Sequence, residues 1–331
     1  MVEFTVYKGS KDRKIVKSQT TREIRSNEVL VRVTHSGLCG TDEGFKHRDM
    51  VLGHEGAGVV EELGSAVKIL KKGDRVGWGY LHDSCGNCKQ CLTGYDTLCP
   101  GRSIYAVNNL DQGSFASYAV WKEDFLFSIP PELETKYAAP LMCGGATVWN
   151  ALASFGIKPT SRVGVLGVGG LGHLAIQFAA KMGCEVVVFS STESKKDEAL
   201  SLGAREFYAT KGITKLVLDQ RIDALLITSS FLPDWNLYLP ILAPNATIYP
   251  LTVSHTDITL PYMPMLDAQI SIQGVLVAPR HVHRDMLRFA AVHGIRPIIE
   301  EFPMSVEGIE EAMARLAEGK MRYRGVFAAG L

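Results

Sequence analysis

Seven cysteines and a handful of histidines are the side chains of this 331-residue sequence best suited to chemistry. Four of them, Cys85, Cys88, Cys91 and Cys99, are spaced Cys-x2-Cys-x2-Cys-x7-Cys. Four thiolates on a short loop with a glycine can close a tetrahedral shell around Zn²⁺ and leave no position for water. Such a site holds structure and does no chemistry. Free thiols at this spacing would be oxidation liabilities. A nucleic-acid zinc ribbon would bring a basic face that this chain lacks. A second set comes from separated segments: Cys39 in Cys39-Gly-Thr-Asp42, His54 in Gly53-His-Glu55, and Cys143. Two thiolates and an imidazole make a three-ligand shell with an open fourth position, the composition of a catalytic zinc. Taken singly, Cys143 also reads as a core thiol and His54 as a satisfied core histidine, and sequence distance alone does not bring them together.

A third feature is Gly167-Val168-Gly169-Gly170-Leu171-Gly172. It follows a short apolar strand and opens an amphipathic run, the context a dinucleotide-binding turn requires. Gly167 permits the tight turn, Gly169 lets backbone approach a pyrophosphate, and Gly172 allows close packing of helix on strand. The helix N-terminus then faces the anion. At the end of the next strand an NAD enzyme usually places a carboxylate on the ribose 2′-hydroxyl. Here that stretch is Ser190-Ser191-Thr192-Glu193-Ser194-Lys195-Lys196. Hydroxyls and a lysine suit a 2′-phosphate, so Ser190, Ser191 and Lys195 point to NADP(H). Glu193 is the residue that would serve NAD, and a plain solvated helix start capped by Ser194 is the bland alternative.

The elements that must position these residues fall into two textures. Residues 28–34, 56–61, 73–79, 113–120 and 125–129 read as short strands, so the first 130 or so residues are mostly β. Beyond Pro140 the pattern changes to helix at 143–155, strand Arg162–Leu166, helix to Met182, strand Glu185–Phe189, helix Ser194–Leu202, and strands Asp223–Thr228 and Thr247–Pro250. That alternation predicts a parallel sheet and an α/β class. A helix at 283–293, a strand at 297–301, a helix at 305–318 and the strand Tyr323–Ala328 close the chain. Lys+Arg and Asp+Glu both number 35, so no basic excess points to nucleic acid or an anionic membrane. Hydrophobic residues make up 46%, yet no run approaches a membrane span, and the N-terminus does not read as a signal peptide. The expected setting is a reducing cytoplasm with thiolates committed to metal.

Together the motifs resemble one family. Cys39-Gly-Thr-Asp, Gly53-His-Glu-Gly-Ala-Gly-Val-Val, Gly73-Asp-Arg-Val-Gly, the four-cysteine lobe, Cys143-Gly-Gly-Ala-Thr-Val and Gly167-Val-Gly-Gly-Leu-Gly occur in the order found in zinc-dependent medium-chain alcohol dehydrogenases. Phe189–Lys196 and Met321-Arg-Tyr-Arg-Gly-Val-Phe327 resemble the NADP-preferring cinnamyl-alcohol-dehydrogenase branch. The resemblance implies a GroES-like, mostly-β catalytic domain (1–143, with the lobe at 85–99), a Rossmann doubly wound parallel-sheet domain (144–278) and a segment returning to the catalytic domain (279–331). It implies two Zn²⁺ per subunit, one catalytic on Cys39, His54 and Cys143 with Glu55 adjacent or exchanging, one structural on Cys85, Cys88, Cys91 and Cys99. It puts Thr41 at the hydroxyl that relays a proton and Thr147 near the nicotinamide, and leaves Cys184 to packing. The implied reaction interconverts a small aldehyde or ketone and an alcohol with NADP(H), in a homodimer or homotetramer.

Two departures stand out. The histidine that commonly completes the family's proton relay falls on Gly44 here, with His47 as a substitute or simply an exposed loop residue. The stretch between Cys39 and His54 holds only 14 residues, shorter than in these relatives. Both keep a second reading open, reduction of an activated C=C or iminium bond on the same scaffold. A non-catalytic, cofactor-binding role would normally show lost ligands, and none is lost.

Overall fold

The computed structural model describes every residue except 255 and 331. The chain divides into two compact units, Met1–Ala146 with Val277–Leu331, and Thr147–Leu276.

In chain order the strands are β1 (Val2–Lys8), β2 (Val16–Arg22), β3 (Glu28–Leu38), β4 (Gly56–Leu63), β5 (Arg75–Trp78), β6 (Leu81–Asp83), β7 (Ser103–Ile104), β8 (Tyr118–Lys122), β9 (Phe127–Ser128), β10 (Arg162–Leu166), β11 (Glu185–Ser190), β12 (Glu206–Ala209), β13 (Ile222–Ile227), β14 (Leu242–Pro250), β15 (Ser271–Ile272), β16 (Ile299–Pro303) and β17 (Arg324–Ala328). The first unit is built on a sheet ordered β16-β17-β3-β4-β5-β9, with β8 also pairing β3. Its centre is β3, whose two faces meet different cores. Val29, Val31 and Val33 pack with Val60, Val76, Trp78 and Trp121, while Leu30 packs with Phe4, Val6, Val51 and Val120. Successive residues of β3 therefore point into two apolar layers rather than into core and solvent. The closing strand β17 pairs antiparallel with β3, Gly325 opposite Leu38, so the end of the chain completes the sheet from which Cys39 emerges.

The second unit is a sheet ordered β12-β11-β10-β13-β14-β15, parallel at each pairing. Counted from β10, the order is 3-2-1-4-5-6, a doubly wound nucleotide-binding arrangement. Strand β10 is buried along its length, as a parallel strand covered on both faces must be.

The helical expectation at 143–155 needs correction. Helix begins earlier, at Thr135–Pro140, passes through a π turn at Leu141–Gly145 and resumes at Ala146–Ser154. Pro140 lacks the amide that an α-helix would use, and the wider π register follows directly after it. Residues 113–117 also differ from expectation; strand geometry starts only at Tyr118.

Candidate functional site

Cys39 directly follows β3 and N-caps a short helix, Gly40–Phe45. Asp42, in the same turn, returns its carboxylate to the Cys39 amide (3.0 Å to Oδ2). Its other oxygen accepts from the Gly53 amide at 3.2 Å and from His54 Nδ1 at 2.9 Å. The Gly53 amide also donates to the phenol of Tyr105 at 3.0 Å. Tyr105 packs its ring against the His54 imidazole, centroids 4.7 Å apart. Asp42 is thus one buried acceptor that fixes the start of the helix, the turn before His54 and the imidazole itself.

With Nδ1 committed to Asp42, the buried Nε2 of His54 has no hydrogen-bond partner among the described residues. A bare buried ring nitrogen costs free energy unless something binds it. It lies in a set with Cys39, Glu55 and Cys143, whose ligand atoms are all within 4.8 Å of one another. Cys39 and Cys143 keep partial exposure while His54 and Glu55 are buried, so the set is walled on one side and reachable on the other. The donors match a zinc shell with an open position, and Asp42 behind the imidazole is the carboxylate that such shells use to orient a histidine.

The electrostatics of this set are strongly coupled. The Cys143 thiol bonded to Cys39, joined by His54, holds Cys39 well below the ordinary thiol range despite burial. Cys143 moves the opposite way, well up, because Cys39 and burial both favour its proton. Burial alone would lower His54, but Asp42 and Cys39 together outweigh it and hold the imidazole well above its usual value. Burial pushes Glu55 up to about 7, against the pull of Arg324. Arg324, from β17, donates through Nη2 to both oxygens of Glu55, 2.5 Å to Oε2. Removing either partner of such a buried pair typically costs about 3–5 kcal/mol, so Glu55 is held in place rather than loose.

Thr41 lies beside the set, its hydroxyl 3.6 Å from Cys39 Sγ. The sequence position of a second relay group is Gly44, which is exposed. His47 is exposed too, and its Nδ1 pairs with the Gly44 carbonyl at 2.9 Å. The short stretch leading to His54 is folded: Arg48 donates to the Ala106 carbonyl at 2.6 Å, and Met50, Val51 and Leu52 are buried.

Cys85, Cys88, Cys91 and Cys99 form the other close set, again with Sγ atoms within 4.8 Å. Backbone amides serve these thiols: Cys88 N–H lies 3.3 Å from Cys85 Sγ and Cys85 N–H 3.4 Å from Cys99 Sγ. The Asn87 and Cys88 amides pull Cys85 down to about 6, while Cys88 is pushed up to about 11, with burial and its fellow thiols outweighing the Cys91 amide. The seventh cysteine, Cys184, is buried apart from both sets.

In the second unit, Gly167 adopts φ +97° and a side chain there would meet the Ser229 backbone at 3.0 Å. A Cβ on Gly172 would stand 1.9 Å from the Gly167 carbonyl oxygen, so helix Gly172–Met182 sits against the turn as only glycine allows. A Cβ on Gly169 would meet nothing, leaving backbone open to a ligand. Val168, Gly170 and Leu171 complete the turn, and His173 Nδ1 pairs with the Gly169 carbonyl at 2.8 Å. Ser190 ends β11, Ser191 is exposed, and Lys195 reaches the Val168 carbonyl at 2.6 Å. Lys195 therefore stands over the glycine turn. Glu193 is exposed and pairs with Lys196 at 3.4 Å. Thr147, buried, opens this unit on helix Ala146–Ser154. Among the described residues no helix is long and apolar enough to cross a membrane.

Asp42, Tyr105 and Arg324 carry the architecture of the first set, and local sequence signals had named none of them for a role. Asp42 stood in the Cys-Gly-Thr-Asp motif; Tyr105 and Arg324 reach the site only through tertiary structure.

Residues 25–131 match the alcohol dehydrogenase GroES-like domain family, and residues 170–292 the zinc-binding dehydrogenase family. A probable formaldehyde dehydrogenase, AdhA, of Bacillus subtilis is 37% identical over 325 residues, covering 93% of each chain. Cinnamyl alcohol dehydrogenase 8 of Arabidopsis thaliana is 33% identical, covering 93% of this chain and 90% of its own. A solved cinnamyl alcohol dehydrogenase from Helicobacter pylori, complexed with NADP(H), superposes with TM-score 0.89 at 27% identity, covering 99% of this chain and 98% of that one.

Proposed function

The chain belongs to the zinc-binding alcohol dehydrogenases with a GroES-like domain, and from that membership we propose that it interconverts an aldehyde or ketone and an alcohol with NADP(H). The observation that carries this reading is the buried Nε2 of His54, without a hydrogen-bond partner among the described residues and set among Cys39, Glu55 and Cys143. In this proposal Cys39, His54 and Cys143 hold a catalytic zinc, Glu55 stands by as an adjacent carboxylate, and Cys85, Cys88, Cys91 and Cys99 hold a structural one. A zinc at the first set supplies Lewis acidity toward a carbonyl oxygen, and bound NADPH supplies the hydride.

The chain's own residues do the rest. Asp42 engages the Nδ1 proton of His54, so Nε2 is the nitrogen left to give up its proton and face a metal. The Thr41 hydroxyl holds and passes the proton exchanged with the substrate oxygen. Gly167, Gly169 and Gly172 let the backbone amides and the N-terminus of helix Gly172–Met182 face a pyrophosphate. Ser190, Ser191 and Lys195 receive the 2′-phosphate, and pairing with Lys196 draws Glu193 away from a ribose hydroxyl. Thr147 borders the nicotinamide. The working assembly is a homodimer, with a homotetramer as the alternative, and the substrate a small-molecule aldehyde or alcohol.

Initial rates with NADPH and NADH across aromatic and aliphatic aldehydes test the proposal. Carbonyl reduction with NADPH preferred is expected; a preference for NADH would overturn the reading of Ser190, Ser191 and Lys195. Cinnamaldehyde should give the allylic alcohol. The saturated aldehyde as product would move the chain to C=C reduction.

A further inference from the structure

Cys143 lies in the π turn Leu141–Gly145. In that register backbone bonds shift by one residue, which alters which carbonyls the helix itself satisfies; the Ala146 amide reaches back to Leu141. The carbonyl just before Cys143, on Met142, is met by His283 Nε2 at 3.0 Å. His283 is 3% exposed and stacks flat on Phe127, centroids 4.5 Å apart and planes 8° from parallel. Its other nitrogen faces the Ala278 carbonyl at 3.0 Å. Gly79 makes room for this contact: a Cβ there would fall 2.5 Å from the Met142 oxygen and 3.2 Å from His283 Nε2.

The same helical turn has a second anchor. Helix Arg280–His293 starts at Arg280, whose Nε donates to Asp96 Oδ2 at 2.6 Å and whose amide lies 3.3 Å from Oδ1. Its guanidinium also lies over the Phe125 ring at 4.8 Å. Asp96 belongs to the four-cysteine lobe, and its backbone carbonyl accepts the Cys99 amide at 3.1 Å. A path therefore runs from Cys99 to Asp96 and Arg280 by hydrogen bonds, along the first turn of the helix to His283, and from His283 to the peptide that carries Cys143.

The geometry points to His283 as a positioning residue for Cys143, and to the Asp96–Arg280 pair as the link by which the four-cysteine lobe holds that residue in register. The lobe then has a use beyond clipping its own loop: it fixes the helix turn that aims one thiolate of the reactive set. This rests on the reading of Cys143 as a zinc ligand.

The test follows zinc release from the full-length, zinc-loaded protein to a colorimetric chelator. The unmodified protein should release zinc in two phases, and Cys143→Ser should remove one of them. His283→Phe keeps the stack on Phe127 and loses the donor; it should speed that phase about 10-fold or more, the scale typical of groups that orient metal ligands, and leave the other phase alone. His283→Gln restores a donor and should recover most of the retention, which a packing role alone would not predict. Arg280→Gln should speed the same phase by less. An unchanged release rate in His283→Phe would overturn the inference while leaving the zinc assignment standing. Two unaltered phases in Cys143→Ser would overturn both. Should His283→Phe not fold, the unmodified protein decides: exchanging zinc for cadmium should move the ¹⁵N signals of the His283 ring, and unmoved signals would overturn the inference.

Discussion

The two cysteine sets solve the same problem, gathering thiols around one point, by opposite means. The four-cysteine lobe lies near the surface, with Cys85 exposed, and relies on its own loop: neighbouring amides and thiols set its charges. Its four thiols all fall within 15 residues, from Cys85 to Cys99. The Cys39–His54–Glu55–Cys143 set is walled by protein and draws on Asp42, Tyr105 and Arg324 from three stretches of chain. In a low-dielectric setting a charge needs a partner, so the reactive set requires a surrounding scaffold that the exposed lobe does without. The difference separates a self-contained structural device from a site whose properties belong to the whole unit.

Substitutions should reveal that separation. Under the proposed assignment, Cys143→Ser removes a ligand from the buried set, and turnover should fall by roughly 10³-fold or more with little change in melting temperature, since a lost transition-state interaction acts on rate. Cys91→Ser should do the reverse, lowering the melting temperature by several degrees, as a loss of about 2 kcal/mol does in a chain of this size. Parallel kinetics and thermal melts check the pair, and equal effects on both quantities would erase the contrast.

A smaller effect sharpens the claim about surroundings. Asp42→Asn preserves shape and loses the charge behind His54. Metal affinity at the reactive set should weaken about 10- to 100-fold with the lobe untouched, as site-resolved chelator competition would reveal. Equal weakening at both sets would mean that Asp42 acts on the fold rather than on His54.

The last expected effect, absent at neutral pH and growing as pH falls, concerns the neck of the lobe. His82 on β6 is 5% exposed, packs edge-on against Trp121 with centroids 4.5 Å apart, and is pushed by burial from 6.5 down to about 3. Between those values the unfolded chain binds a proton that the folded chain refuses, so stability falls as pH drops. From the usual value to about pH 4.5 this amounts to about 2–3 kcal/mol. His82→Gln should flatten that part of the acid limb in melts taken across the window; an unchanged slope would assign the limb to other groups.

The same contrast explains what could be read from sequence. The lobe was legible because its four cysteines are neighbours in the chain, and Gly167–Gly172 because a glycine turn between an apolar strand and a helix is a local pattern. The alternation of short strands and helices from Arg162 to Pro250 announced a parallel sheet for a related reason: each strand and helix is a local pattern, and the strands Arg162–Leu166 and Glu185–Ser190 both proved buried along nearly their whole length. The convergence of Cys39, His54 and Cys143 came from resemblance, not spacing. Arg324 reaches Glu55 across 269 residues, and His283 reaches Met142 across 141; no periodicity encodes such contacts. The π turn at Leu141–Gly145 was hidden because Pro140 reads as a boundary, whereas the helix continues past it in a wider register.

The central claim is that two metal sites divide the labour, one holding the lobe and one serving the reaction. Zinc per chain, measured together with aldehyde-dependent oxidation of NADPH in the unmodified protein and in Cys39→Ser, tests it most directly. The account predicts about two zinc ions in the first and about one in the second, with turnover lost in the variant. A single zinc in the unmodified protein, or full turnover in Cys39→Ser, would contradict it.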